Sequence, residues 1–211
     1  MLVTENVLDL SRKNRVHVLG IGGAGMSAIA EVLASMGHTV TGSDLKESVG
    51  LDRLRALGVQ ITVGHDASNV GDAEFVTRST AVPDHNVECQ ETLKCGIPLL
   101  SRAEILAEIC KQKSALVVSG THGKTTTSSM LALVLRSAEM KPSFIIGGDV
   151  NEVGTGAAWD DGSIFVVEGD ESDGSFLLLP RDYAVVTNVE ADHLEHHGGY
   201  EALEEAFEKF V

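Results

Sequence analysis

Two glycine-rich runs and one acidic run are the residues of this 211-residue chain whose types and spacing could do chemistry. Gly120-Thr121-His122-Gly123-Lys124-Thr125, trailed by Thr126 and Thr127, offers backbone N–H groups to cradle phosphates. Lys124 can neutralise β/γ charge, and the Thr125 hydroxyl can ligate magnesium. The spacing departs from the usual phosphate loop, which has a glycine where this chain has Val118; the first glycine here is Gly120. A helix that merely begins with lysine and threonines is the bland alternative, and the apolar run 115–119 ahead of it argues against that.

Glu168-Gly169-Asp170-Glu171-Ser172-Asp173 places four carboxylates at the end of another apolar run, where a magnesium-nucleotide site needs a hard oxygen ligand. Alone it reads as a solvated loop of an acidic chain; adjacency to the phosphate loop in a parallel sheet reverses that preference. Asn188-Val189-Glu190-Ala191-Asp192-His193-Leu194-Glu195-His196-His197 follows a further apolar run. Its His-x-x-His-His spacing could bind zinc on a helix face, but no matching cysteine set accompanies it. His193 is the candidate for the metal or phosphate side, and His196 and His197 are expected at the surface.

The other glycine run, Gly20-x-Gly22-x-x-Gly25, lies between a predicted strand and a predicted helix. There glycines let the backbone turn tightly and approach a diphosphate at the helix N-terminus. Asp44, at the end of the next strand, could bind a ribose or base hydroxyl. Taken alone this points to a nucleotide diphosphate, NAD included, with a ligand-free tight turn as the alternative.

The elements that must position these residues follow a βα rhythm. Strands are predicted at 15–19, 38–42, 60–63, 73–77 and 97–100, with helices from Met26 to a stop at Gly37, then over 51–57, 87–94 and 102–110. Parallel strands need crossover connections, so this alternation predicts a doubly wound, mostly parallel sheet. The rhythm restarts at Ser114, with strands at 115–119, 163–167 and 183–188, helices at 125–138 and 200–211, and a loop at 147–156. The fold class expected is α/β: a Rossmann-like parallel-sheet domain over 1–112, then an incomplete P-loop-type ATPase α/β domain over 113–211. The second unit offers about four strands and no closing element after Val211, as in the front part of a longer protein.

Acidic residues outnumber basic ones by 31 to 16, a formal charge of -15 that disfavours nucleic acid and anionic lipid as partners. Attraction to phosphate must then be local. Three cysteines, Cys89, Cys95 and Cys110, form no CxxC pair, which fits a reducing cytoplasm. No run approaches the roughly 18 apolar residues of a membrane span.

On its four ordered motifs, Gly20 to Ser27, Gly120 to Thr126, Glu168 to Phe176 and Thr187 to His193, the chain resembles the Mur ligase family of peptidoglycan precursor synthesis. The resemblance implies a UDP-sugar domain, a central ATPase domain and a C-terminal domain that lies outside this sequence. It implies ATP and Mg2+ as cofactors, UDP-N-acetylmuramate and L-alanine as substrates, and no nucleic-acid or membrane partner. ATP would phosphorylate the lactyl carboxylate, and the amino group would attack the acyl phosphate. Carried onto this sequence, the catalytic residues are Lys124, Glu168 and His193, with magnesium on Thr125, Glu168 and His193. ATP falls to Gly120, Thr121, His122, Gly123, Lys124, Thr125, Thr126 and Asn188. The UDP-sugar falls to Gly22, Gly23, Ala24, Gly25, Met26, Ser43, Asp44, Ser79, Thr80 and Arg102. Arg78 stands where the family pattern has a small residue. A muropeptide-recycling ligase that attaches a tripeptide is the nearest rival, and an NAD-dependent oxidoreductase the next. The isolated 211 residues are expected to bind without ligating.

Overall fold

The computed structural model describes residues 8–150, 153–192 and 194–211, and the chain divides into two compact units, one ending at Glu108 and one running Ile109–Val211. The first contains β1 (Arg15–Leu19), α1 (Ala24–Ser35), β2 (Thr39–Asp44), α2 (Val49–Ala56), β3 (Gln60–Val63), β4 (Phe75–Arg78), α3 (Val87–Lys94), β5 (Leu99–Ser101) and most of α4 (Arg102–Cys110). All five strands are parallel, in the order β3-β2-β1-β4-β5. Leu19 is in register with Ser43 on one side and Arg78 on the other, so the loops after β1, β2 and β4 leave one edge of the sheet together.

Local sequence explains these boundaries. The apolar stripe Met26, Ile29, Ala30 and Leu33 buries one face of α1. Asn86 caps α3 by accepting the Glu88 N–H at 2.9 Å. Ser101 and Glu104 form a reciprocal capping box at the start of α4, with the Ser101 N–H donating to the Glu104 carboxylate at 2.7 Å and the Glu104 N–H to the Ser101 hydroxyl at 3.3 Å.

A polar hub lies inside this unit. Glu88 is fully buried. One carboxylate oxygen takes bonds from the His17 ring at 2.8 Å and the Ser43 hydroxyl at 2.7 Å. The other takes the His65 ring at 3.0 Å, the Asn69 amide at 2.9 Å and the Asp66 N–H at 3.2 Å. Burial pushes this carboxyl up, but the bonds from His17, Asn69, Ser43 and His65 outweigh it and hold the group down at about 2. The hub fastens β1, β2 and the segment after β3 to α3, beneath the edge from which the loops depart.

The second unit contains β6 (Ser114–Ser119), α5 (Lys124–Ser137), β7 (Ser143–Val150), β8 (Thr155–Ala158), β9 (Ile164–Glu168), β10 (Tyr183–Val186), α6 (Leu194–His197) and α7 (Tyr200–Phe210). Its order is β10-β6-β9-β7-β8, with β10, β6, β9 and β7 parallel and β8 antiparallel to β7. The loop expected at 147–156 is instead the end of one strand and the start of another, a hairpin that pairs Ile145 with Ala157 and Val150 with Thr155. Gly147-Gly148 reads as a breaker in sequence, and the pairing is irregular there: the register shifts between Ile145 and Val150, and the Gly147 N–H goes to the Glu168 side chain. Leu203, Ala206, Phe207 and Phe210 form the buried stripe of α7, and Phe176 packs against both phenylalanines at about 5 Å between ring centres. Among the described residues no helix is long and apolar enough to cross a membrane.

Candidate functional site

In the second unit, β6 enters the turn 120–123 and leaves it as α5, with Gly123 at φ 81° as the residue before the helix. No side chain caps this helix, and its first internal bond is from the Thr127 N–H to Gly123 O at 3.0 Å. The N–H groups of Lys124, Thr125 and Thr126 therefore stand ahead of any intrahelical acceptor, at the positive end of a 14-residue helix. That is an anion cradle.

The residues after β10 clamp the turn. The Thr121 N–H donates to Asn188 O at 3.1 Å and the His122 N–H to the Asn188 side-chain oxygen at 2.9 Å. The Asn188 amide returns a bond to His122 O at 3.1 Å, and the Thr187 hydroxyl donates to the same carbonyl at 2.6 Å. Gly120 sits at φ 134°, and a methyl group there would overlap the Thr187 hydroxyl and the Asn188 backbone. The positive φ costs an alanine about 1–3 kcal/mol and overpacking costs a similar amount. Gly120→Ala is thus expected to lower unfolding free energy by at least about 2 kcal/mol in urea titration; an unchanged midpoint would contradict this close approach.

Lys124 directs its ammonium back along the loop, donating to Gly120 O at 2.7 Å, Thr121 O at 3.3 Å and the Glu171 carboxylate at 2.9 Å. Beside it, the exposed Thr125 hydroxyl lies 3.3 Å from one oxygen of Glu168, the last residue of β9. The other oxygen accepts the Gly147 N–H at 3.0 Å. Burial lifts the Glu168 carboxyl above the usual range, against the pull of Gly147, Thr125 and Lys124. A Cβ on Gly147 would lie 2.9 Å from a Glu168 oxygen and 3.6 Å from the Thr125 hydroxyl, so the missing side chain leaves a space bordered by two hard oxygen donors. Those donors and that space fit magnesium.

In the first unit, Gly20 and Ile21 both donate to Ser43 O, at 2.9 and 3.1 Å, and Gly22 donates to the Asp44 carboxylate at 2.8 Å. The Gly23 residue before α1 carries no side-chain cap, so the N–H groups of Ala24, Gly25 and Met26 begin the helix unpaired within it. Arg102 packs against Gly25, where a Cβ would lie 2.7 Å from the guanidinium Nε, and that Nε is buried with no partner among the described residues. A guanidinium beside the positive end of a helix calls for an anion between them.

The structure brings Gly120 to Thr126, Glu168 and Asn188 together around the second loop, and Gly22 to Gly25, Asp44 and Arg102 around the first. Two of the residues expected at the sugar nucleotide have buried side chains: Met26, and Ser43 with its hydroxyl on Glu88 and its carbonyl under the glycine loop. Both can serve only through backbone or as support. Ser79 donates its N–H to Leu19 O at 3.1 Å while Thr80 is exposed. Arg78 is tied into the following turn through Val82 O and Asp84, which accommodates its bulk. His193 lies outside the described residues. His196 is exposed, but His197 is half-buried with its ring nitrogen 2.7 Å from Glu171 O, so the surface position expected for it does not hold. Glu171 and Thr187 were not singled out in sequence; nothing in a run of four acids tells which one is buried.

The Mur ligase family catalytic domain matches residues 15–114, and the Mur ligase middle domain matches residues 118–211. A UDP-N-acetylmuramate–L-alanine ligase of Allorhizobium ampelinum is 50% identical over 196 residues, 93% of this chain and 42% of that protein. The crystal structure of a UDP-N-acetylmuramate-alanine ligase from Thermotoga maritima superposes with a TM-score of 0.85 at 35% identity, covering 93% of this chain and 46% of that one. A UDP-N-acetylmuramate:L-alanyl-gamma-D-glutamyl-meso-diaminopimelate ligase from Neisseria meningitides gives a TM-score of 0.84 at 30% identity, covering 95% and 68%. The chain spans about two fifths of the length of the curated relatives it matches.

Proposed function

Because the chain belongs to the Mur ligase family, we propose that it is the sugar-nucleotide-binding and ATP-binding part of an enzyme that joins L-alanine to UDP-N-acetylmuramate. The observation that carries this reading is the second loop, where Lys124, Thr125 and Glu168 converge on one anion cradle. An NAD-dependent oxidoreductase has no use for such a cradle. Identity near 50% to L-alanine ligases, against 30% to the solved tripeptide-adding ligase, favours L-alanine as the amine.

In this reading UDP-N-acetylmuramate lies with its diphosphate on the α1 N-terminus and Arg102, and Asp44 holds the glycine loop open through Gly22. ATP rests on the α5 N-terminus. Its terminal P–O bond breaks as the lactyl carboxylate takes the phosphoryl group, and the amine of L-alanine then displaces inorganic phosphate from the acyl phosphate. A carboxylate is a poor electrophile, so the first step is what makes the second feasible. Thr125 and Glu168 would hold magnesium, which supplies charge neutralisation at the transferring phosphoryl group, and His193 is the further ligand proposed. Lys124 stabilises β/γ charge, and the Asn188 clamp fixes the loop amides that orient it. The cytoplasm, which holds ATP and keeps thiols reduced, suits the three free cysteines.

Calorimetric titration of the 211-residue protein should detect UDP-N-acetylmuramate and Mg-ATP but not NADH. Binding of NADH without the sugar nucleotide would overturn the reading.

A further inference from the structure

The acid bonded to Lys124 is Glu171, not the magnesium candidate Glu168. Its residue is 1% exposed, and both carboxylate oxygens lie within reach of the ammonium, at 2.9 and 2.8 Å. Its backbone is pinned as well: the Gly174 N–H donates to Glu171 O at 3.1 Å and the His197 ring lies 2.7 Å from the same atom. An ammonium has three N–H bonds, and Glu171, Gly120 O and Thr121 O take all three. The lysine expected to attract phosphate therefore has its three N–H bonds taken and its charge balanced by Glu171. Glu168 adds a second acid nearby, so this edge carries one lysine against two carboxylates. The side chains here offer a bare polyphosphate no net positive charge and leave it only the partial charge of the helix N-terminus, while a polyphosphate with its own divalent cation brings the missing charge with it.

Resting on the nucleotide-binding reading above, we propose that Glu171 is a specificity-determining residue, which by neutralising Lys124 makes the loop reject metal-free polyphosphate and accept the magnesium complex. The Mg-nucleotide draws the ammonium away from Gly120 O and Thr121 O, while Glu171, too buried to be left alone, keeps one bond to it.

The test is calorimetry on the 211-residue protein with Mg-ATP, with ATP in excess chelator, and with pyrophosphate in chelator. The wild type should prefer Mg-ATP over metal-free ATP by about a hundredfold, the equivalent of two charge-assisted contacts. In Glu171→Gln the metal-free affinities should rise about tenfold with Mg-ATP within about threefold, so the preference collapses. A purely structural Glu171 would lower the thermal midpoint and leave that ratio alone. Metal-free affinity that is unchanged or lower in the variant overturns the proposal. If the variant does not fold, the wild-type ratio still decides: equal affinity for both forms sinks it. A wild type that binds no form of ATP sinks the ATP reading itself and this proposal with it, a result distinct from the others.

Discussion

Lys124→Ala should weaken Mg-ATP binding about 10- to 100-fold, the range of one or two lost charge-assisted bonds, and leave UDP-N-acetylmuramate binding within about twofold. In the full-length enzyme, acyl-phosphate formation should fall further, by about a hundredfold to a thousandfold, as when one preorganised donor to a developing charge is removed. The loss has two parts. Phosphate oxygens lose the ammonium, and the buried Glu171 carboxylate, no longer cancelled, then faces them with its full charge. In the proposed assignment the sugar nucleotide belongs to the other unit, where α1 and Arg102 are untouched, so its binding doubles as a check that the variant is folded. Titration of both ligands decides. Loss of both together would mean that the two ligands are not assigned to separate units.

A comparably large effect on stability is expected at Glu88. Glu88→Ala removes the acceptor of five bonds and leaves the buried His17 and Ser43 and the half-buried His65 and Asn69 without it. Breaking a buried charged network in this way costs roughly 3–5 kcal/mol. The pH dependence has a definite sign. The folded carboxyl sits at about 2, below its ordinary value near 4.5, so its contribution is complete above about pH 4.5 and disappears as pH falls towards 2. The linkage amounts to roughly 3 kcal/mol. Urea unfolding at pH 7 and pH 3 should show the wild type losing stability in acid, and Glu88→Gln losing markedly less between the same two values. Parallel losses in both proteins would remove Glu88 as the acid-sensitive group.

The parts of the fold that were legible in the sequence are those written in local chemistry. Helices over 87–94 and 102–110 lie where the pattern puts them because Asn86 and the Ser101–Glu104 pair mark their starts within a turn. The two glycine loops were legible for the same reason, each being a strand, a tight turn and a helix in unbroken sequence. What escaped depends on pairing across the chain. β8 and the end of β7 hold small residues and three glycines, and only their pairing with each other across the hairpin makes them strands. Glu88 follows an N-cap and resembles the exposed acid common in a first helical turn, yet Ser43, 45 residues away, and His17, 71 away, converge on it. Glu171 differs from its acidic neighbours only by lying beneath Lys124, and sequence spacing carries no trace of that.

The Asn188 clamp bears on how the loop proposed for ATP would meet its ligand. Asn188 gives and receives a bond with His122 much as paired bases do, and Thr187 secures the same carbonyl, so bonds within the protein fix the turn. A glycine-rich segment left free would lose backbone entropy, roughly 1–2 kcal/mol per residue, whenever a nucleotide ordered it. Here that loss belongs to folding. The end of β10 pre-organises the cradle, and under the proposal above the adjustment left for binding is the exchange of partners around Lys124.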